Sequence, residues 1–241
     1  MRSSRSDPKG RAVDPLAPGP RGFAHRGLHG IDPFVENSRN AFLAALEWGA
    51  GIECDLRLTA DGQVVVFHDA DAMRLCNDAL VIGQSTLAEV QALSVGGHPP
   101  LGLAELLDLV AGRVPLLLEV KAEANHWRFG PALVKALATY PGRFGIMSFD
   151  PRIVRWLKTN APTVRRALVV RDSLLPLKRW SAMQIADPQF LAVEVAALGK
   201  PWVARARTRM PVYSWTVRTP DQRRLAATHA DAPIWEADGR P

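Results

Sequence analysis

The 241-residue sequence predicts one α/β domain, a TIM-type (β/α)8 barrel with an irregular link between its second and third strands. Short apolar runs alternate with helical patterns along the chain, which implies parallel strands covered by helices. About eight such units fit in this length, the number that closes a barrel. An open doubly wound sheet is the alternative architecture. Its dinucleotide-binding form is disfavoured, because no G-x-G-x-x-G follows the first apolar run.

Residues 1–21 read as a poorly ordered arm, with Pro8, Pro15, Pro18 and Pro20 among scattered Arg and Gly. The barrel domain is expected over 22–241. Its first strand is the short run 22–24, and a helix over 38–48 follows, with Asn37 or Ser38 as N-cap. The next strand, 51–56, and the run 64–67 leave no room for a helix between them. Asp61-Gly62 there is a turn signal. Counting outward from that turn places Glu53 roughly opposite His68. Parallel neighbours need a crossover of a dozen residues or more, so a hairpin or a short dip is expected at this point.

The segment 70–100 is long for one loop and contains a helical pattern at 86–93; on a barrel it could cover the site from above. From there the alternation is regular. Helices are expected at 103–110, 129–140, 151–159, 197–207 and 220–229. Strands are expected at 116–120, 144–148, 166–170, 191–195 and 212–217, with a short last one near Ile234.

Composition bounds the function. With 47% hydrophobic residues the chain can bury one sizeable core. The net charge of +6 attracts anions: phosphate metabolites, lipid headgroups or nucleic acid. The basic residues are scattered rather than run together, so no nucleic-acid partner is expected, and a weak contact with an anionic membrane surface is the most the charge suggests. Cys54 and Cys76 lack metal-type spacing and are too few for a disulfide framework. Cys54 sits between two acidic residues on a strand, so alternation sends it to the opposite face as a buried thiol. The sequence has no apolar run long enough to span a membrane, and the first 21 residues lack the apolar core of a secretory signal. A cytoplasmic protein is expected, its oligomeric state left open.

Four clusters at strand ends carry the chemistry: His25-Arg26-Gly27, Glu53-Cys54-Asp55, His68-Asp69 and Glu119-Val120-Lys121. Glu53 and Asp55 are two apart on a strand and share a face. Two carboxylates on an apolar strand repel and resist burial unless a cation lies between them. Glu119, ending the run Leu116-Leu117-Leu118, is the natural third ligand. Oxygen ligands of this kind suit a hard divalent ion, Mg²⁺ or Ca²⁺. The competing explanation is a carboxylate pair held by buried Arg or Lys. His25 and His68 suit a general acid and a general base. Asp69 could orient His68 or cap the next segment. Arg26 and Lys121 suit a phosphate, and Lys121 shares the inward face of Glu119. Glu36 could orient a catalytic group or contact substrate. Phe149 and Trp215 could wall the site, although core packing is the better default for aromatic residues. His29, His98, His126 and His229 have no partner motif and read as structural.

In this order and spacing the clusters resemble the glycerophosphodiester phosphodiesterase family, from about Phe23 to the C-terminus. His25-Arg26-Gly27, Glu36-Asn37, Glu53-X-Asp55, Asp61-Gly62, His68-Asp69, Glu119-X-Lys121, Ser148-Phe149 and Trp215-Thr216-Val217 carry the likeness. The resemblance implies a TIM-type barrel that hydrolyses glycerophosphodiesters to sn-glycerol 3-phosphate and an alcohol. It implies Mg²⁺ or Ca²⁺ on Glu53, Asp55 and Glu119, catalysis by His25 and His68, and phosphate contacts from Arg26 and Lys121. Ser38 departs from the usual Thr after Glu-Asn. The insertion after His68-Asp69 is compact. The last strand reads Ile234-Trp235-Glu236-Ala237-Asp238 where the family has Thr-Asp, and the closing helix is short, so the N-terminal arm or a partner is expected to cover that flank. Two other readings compete: a phospholipase D- or C-like enzyme, which a long apolar amphipathic loop near the site would support but the sequence pattern does not show, and a catalytically silent phosphate-binding module, which would lack a ligand or a histidine although all are present.

Overall fold

The computed structural model describes residues 14, 16–30, 34–122 and 126–241, with backbone alone at 126 and 127. The strands are β1 (Phe23–Ala24), β2 (Gly51–Leu58), β3 (Val64–Val66), β4 (Leu116–Val120), β5 (Phe144–Ser148), β6 (Arg165–Val170), β7 (Phe190–Glu194), β8 (Val212–Val217) and β9 (Ala232–Trp235). All but β3 run parallel, and β1 pairs with both β2 and β9, which closes the sheet into a barrel. The helices are α1 (Arg39–Trp48), α2 (Met73–Cys76), α3 (Leu87–Gln91), α4 (Leu103–Val110), α5 (His126–Leu137), α6 (Pro151–Asn160), α7 (Pro176–Ala186), α8 (Pro201–Arg207) and α9 (Pro220–His229). The closed barrel excludes the open doubly wound sheet. Among the described residues no helix is long and apolar enough to cross a membrane.

The irregular link is an antiparallel hairpin. β1 is only two residues long, so it leaves the C-terminal part of β2's edge unpaired, and β3 takes that place with Leu56 opposite Val66 and Leu58 opposite Val64. Phe67 N–H donates to Asp55 O at 3.0 Å, so Cys54 rather than Glu53 lies level with His68. The expected pairing of Glu53 with His68 is therefore off by one residue: the loop 59–63 is centred on Asp61, which sets 54 against 68. The expected helix at 129–140 begins and ends three residues earlier, at His126–Leu137. The expected helix at 197–207 splits at Gly199 (φ +83°) into a 3₁₀ turn and α8. Two helices, α2 and α7, do not show in the sequence pattern. α7 buries only Ala186, so its apolar residues follow no inward stripe.

Inward positions divide the barrel into two levels. The lower level is an apolar cluster that includes Leu16, Phe23, Leu117, Met147, Phe190 and Tyr213. A second, larger core lies between strands and helices and takes in Cys54, fully buried as alternation predicts. Residues 1–13 of the expected arm lie outside the described residues. Leu16, however, is 1% exposed, and Asp14 accepts from the Tyr213 hydroxyl and pairs with Arg165 at 3.3 Å. The packed unit thus begins before residue 22. Gly145 makes room for this plug: a Cβ there would lie 2.5 Å from Leu16 Cδ1. Beside β9, Trp48 packs on Trp235 at 5.6 Å and is capped by Arg240 at 4.4 Å, and the carbonyl of Arg21, the last residue of the expected arm, accepts from Trp235 Nε1 at 2.7 Å.

Leu16→Ala empties the floor of a packed barrel. It should destabilise the protein by about 2–5 kcal/mol, read as a lowered urea midpoint with unchanged slope. A cost under about 0.5 kcal/mol, typical of an exposed position, would mean the plug does not pack in solution.

Candidate active site

The upper level of the barrel is polar because its inward residues come from the C-terminal strand ends. β2 contributes Glu53 and Asp55, and β4 contributes Glu119 directly beside Asp55 in register. His25 follows β1, Lys121 follows β4, Phe149 follows β5 and Glu236 follows β9. A cavity of about 660 Å³ opens there, lined in part by His25, Arg26, His68, Glu119, Lys121, Phe149 and Trp215. The sequence-predicted residues are thus brought to one site. The segment 70–100 supplies none of the cavity's lining; it packs beside the hairpin through Val65, Phe67, Ile82 and Val90.

One oxygen from each of Glu53, Asp55 and Glu119 lies within 4.8 Å of the others, and all three residues are buried. Lys121 Nζ pairs with Asp55 Oδ1 at 2.7 Å and with Glu119. Arg26 reaches Asp55 through Nε at 3.0 Å and Glu36 through Nη1 at 2.8 Å. It can do so because its own backbone is left-handed (φ 56°), which turns the side chain back over the end of β1. That conformation costs of order 1–3 kcal/mol in a non-glycine residue. Arg26 N–H donating to Glu53 Oε2 at 3.0 Å and Arg26 O accepting from Asn37 N–H at 2.9 Å hold it. Gly27 follows at φ +80°, where a Cβ would lie 2.9 Å from Ala41.

The carboxylates differ in charge state. Burial, with Asp55 and Glu119 alongside, pushes the Glu53 carboxyl well above its ordinary range, and burial beside Asp55 raises Glu119. Burial also works against ionised Asp55, but Lys121 and Arg26 outweigh it and hold its pKa low. Burial opposes the charge on Lys121, yet Asp55 and Glu119 raise its pKa. Glu53 Oε1 is buried without a hydrogen-bond partner among the described residues. A buried carboxylate oxygen left without a donor beside two other carboxylates is what a divalent cation satisfies, so the residues fit the ion. His25, His29 and Glu236 also converge within 4.8 Å, but their carboxylate is already engaged by both imidazoles and by Arg218.

Each histidine in the cavity is backed by a carboxylate. His68 Nδ1 donates to Asp69 Oδ1 at 2.6 Å, and His25 Nδ1 donates to Glu236 Oε2 at 2.5 Å. Each Nε2 is thereby left for the cavity; that of His25 stands 4.0 Å from Glu53 Oε2. Burial lowers the pKa of both imidazoles. Burial opposes the charge on Glu236, but His25 and His29 overcome it and hold its carboxyl far below the usual range.

Four features were absent from the sequence reading. Glu236 orients His25 from 211 positions away, too far for any local motif. His29 is not merely structural, standing 3.5 Å from Glu236. Asn37 is not the helix cap: Ser38 Oγ caps α1 by accepting from Ala41 N–H at 3.2 Å, while Asn37 Nδ2 donates to Asp55 Oδ2 at 2.8 Å. Arg74 of α2 ties Glu36 to Asp69, at 2.5 and 2.6 Å, and so holds the support of His68. Phe149 and Trp215 do stand together at the cavity wall, edge to face at 5.4 Å, with Arg171 over Phe149 at 4.8 Å.

Glu236→Gln should move the His25 titration to lower pH, since burial already depresses that pKa and the carboxylate counters it. NMR of the imidazole nitrogens reads this directly. An unmoved titration would mean that Glu236 does not hold His25 in solution.

The family model described as "Glycerophosphoryl diester phosphodiesterase family" matches residues 25–235. The glycerophosphodiester phosphodiesterase of Caldanaerobacter subterraneus subsp. tengcongensis is 32% identical over 166 residues, covering 64% of this chain and 68% of the relative. A Mycobacterium tuberculosis protein named "Probable glycerophosphodiester phosphodiesterase 1" is 40% identical over 185 residues, covering 66% and 67%. Among solved structures, an Oleispira antarctica phosphodiesterase in complex with the product sn-glycerol-3-phosphate superposes with a TM-score of 0.80, over 90% of this chain and 92% of that one, at 22% identity. The eight-stranded barrel, its strand-end carboxylates and the family match over residues 25–235 agree: the chain belongs to the glycerophosphoryl diester phosphodiesterase family and is a phosphodiester hydrolase.

Proposed function

We propose that this enzyme releases sn-glycerol 3-phosphate from glycerophosphodiesters by histidine acid–base catalysis at a site holding one divalent cation, Mg²⁺ or Ca²⁺. The observation that carries the reading is the convergence of Glu53, Asp55 and Glu119 beside two carboxylate-backed imidazoles. A divalent ion on those three side chains would polarise the phosphodiester. Arg26 and Lys121 flank the same carboxylates and would hold the non-bridging phosphate oxygens. One histidine takes the proton of the nucleophile: a water, which gives sn-glycerol 3-phosphate directly, or the glycerol hydroxyl next to the phosphate, which gives a cyclic phosphate that a water then opens to the same product. The other gives a proton to the departing alkoxide. Glu236 and Asp69 keep Nδ1 of each ring occupied, so the exchange runs through Nε2. Phe149 and Trp215 wall the cavity beyond the phosphate. A silent phosphate-binding module fits less well, since every ligand and both histidines are present. A cytoplasmic, small-molecule role belongs to the same proposal.

Release of sn-glycerol 3-phosphate from a panel of glycerophosphodiesters tests it. Excess chelator should abolish release, and added Mg²⁺ or Ca²⁺ should restore it. Full activity in chelator would remove the ion from the mechanism.

Lys121→Met removes the charge and keeps most of the apolar stem. A charge-assisted contact to phosphate is worth about 1.5–3 kcal/mol, so kcat/KM should fall roughly ten- to a hundredfold or more. Ion affinity should hold or tighten, because a cation competing for Asp55 and Glu119 has gone. Weaker ion binding with unchanged kcat/KM at saturating ion would leave Lys121 as an organiser of the carboxylates only.

A further inference from the structure

The lining of the cavity runs through Arg171, Ser173 and Leu174 straight into the start of α7. There the chain exposes what a folded protein ordinarily buries. Leu175 is 62% exposed, Leu177 81% and Trp180 64%. Leu177 and Trp180 are three apart on the helix and lie on one face, with Leu175 just ahead of the first turn. Scattered apolar residues need no explanation, but three within six positions at the lip of a catalytic cavity form a patch.

The surroundings of this tip are cationic. Residues 173–186 and 200–211, which contain α7 and α8, have no carboxylate; they carry Lys178, Arg179, Lys200, Arg205, Arg207 and Arg209. Asp172 offsets Lys200 and Asp231 offsets Arg207, while Lys178, Arg179, Arg205 and Arg209 keep the surface net positive, with Arg179 stacked over Trp202 at 4.3 Å. Leu and Trp at a helix tip with basic residues behind them match an interface whose interior is apolar and whose surface is anionic.

We propose that the start of α7 docks the enzyme on an anionic lipid surface, with Leu175, Leu177 and Trp180 entering the headgroup layer. A second copy of the chain fits this face less well. A two-fold contact through the tip would set two net-basic surfaces against each other. Because α7 starts at the C-terminal end of β6, the docked enzyme presents its catalytic mouth to the membrane.

The experiment is co-sedimentation with vesicles of phosphatidylcholine, with and without phosphatidylglycerol. Binding is expected to the anionic vesicles, weakening as salt is raised. The double variant Leu177→Glu/Trp180→Glu should lower partitioning about tenfold or more. Its hydrolysis of soluble glycerophosphocholine should match the parent's, which also reports that it folds. Equal sedimentation of variant and parent, or no binding to the anionic vesicles, would overturn the proposal. So would a dimer in light scattering that the variant converts to monomer, which assigns the tip to a second copy. Vesicle binding is read without turnover, so failure of the catalytic proposal and failure of this one are separate results.

Discussion

Everything at the upper end of this barrel follows from three buried carboxylates, two of them fully removed from water and the third at the floor of the cavity. Transferring one such ion from water into a protein interior costs several kcal/mol even after relaxation. Glu53, Asp55 and Glu119 together with Arg26 and Lys121 leave one negative charge in excess. Burial and the neighbouring carboxylates raise the pKa of Glu53, so its carboxyl is the one whose ionised form is least favoured in the ion-free protein. A divalent cation reverses the balance and leaves one positive charge. A phosphodiester carries a single negative charge, so the loaded site becomes its electrostatic complement. Arg26 and Lys121 are engaged with the carboxylates here, and under the proposed function a metal ion on those carboxylates would free them to turn toward phosphate.

The same constraint explains the unusual backbone next to β1. Arg26 can reach Asp55 only from a left-handed conformation, and the ion pair holds it there. Asn37, also left-handed, reaches Asp55 from the other side through its amide. Glu36, one residue earlier, passes the network on to Arg74, and Arg74 passes it to Asp69 and His68. A chain of ion pairs thus runs from one proposed ligand to the backing group of a histidine. Fixing these side chains before substrate arrives is the kind of preorganisation that catalysis at charged centres depends on.

The fold was legible because parallel barrel strands are buried on both faces and read as short apolar runs. The clusters were legible because the barrel sends catalytic side chains to strand ends, where a charge interrupts such a run. Glu236 was hidden because its meaning depends on β9 closing against β1, a contact that no local window contains. Asn37 was misread because an Asn before a helix ordinarily caps it, and only the fold shows Asp55 competing for the amide. α7 was missed for the opposite reason: periodicity detects helices by the stripe they bury, and this one exposes its stripe. The hairpin register slipped by one residue because Asp61-Gly62 marks a turn without fixing which residue lies at its centre.

The two levels of the barrel divide the work between stability and chemistry. Leu16, Phe190 and Tyr213 fill the lower level so tightly that Gly145 has no room for a side chain. A floor packed in this way does not yield when charge is rearranged above it, because dense interiors transmit strain rather than absorb it. The ions above are held by strands anchored in that floor, and their spacing is set by the register of Asp55 against Glu119. Flexibility is left to the loops around the mouth, where α7 begins and where contact with anything outside the protein must occur.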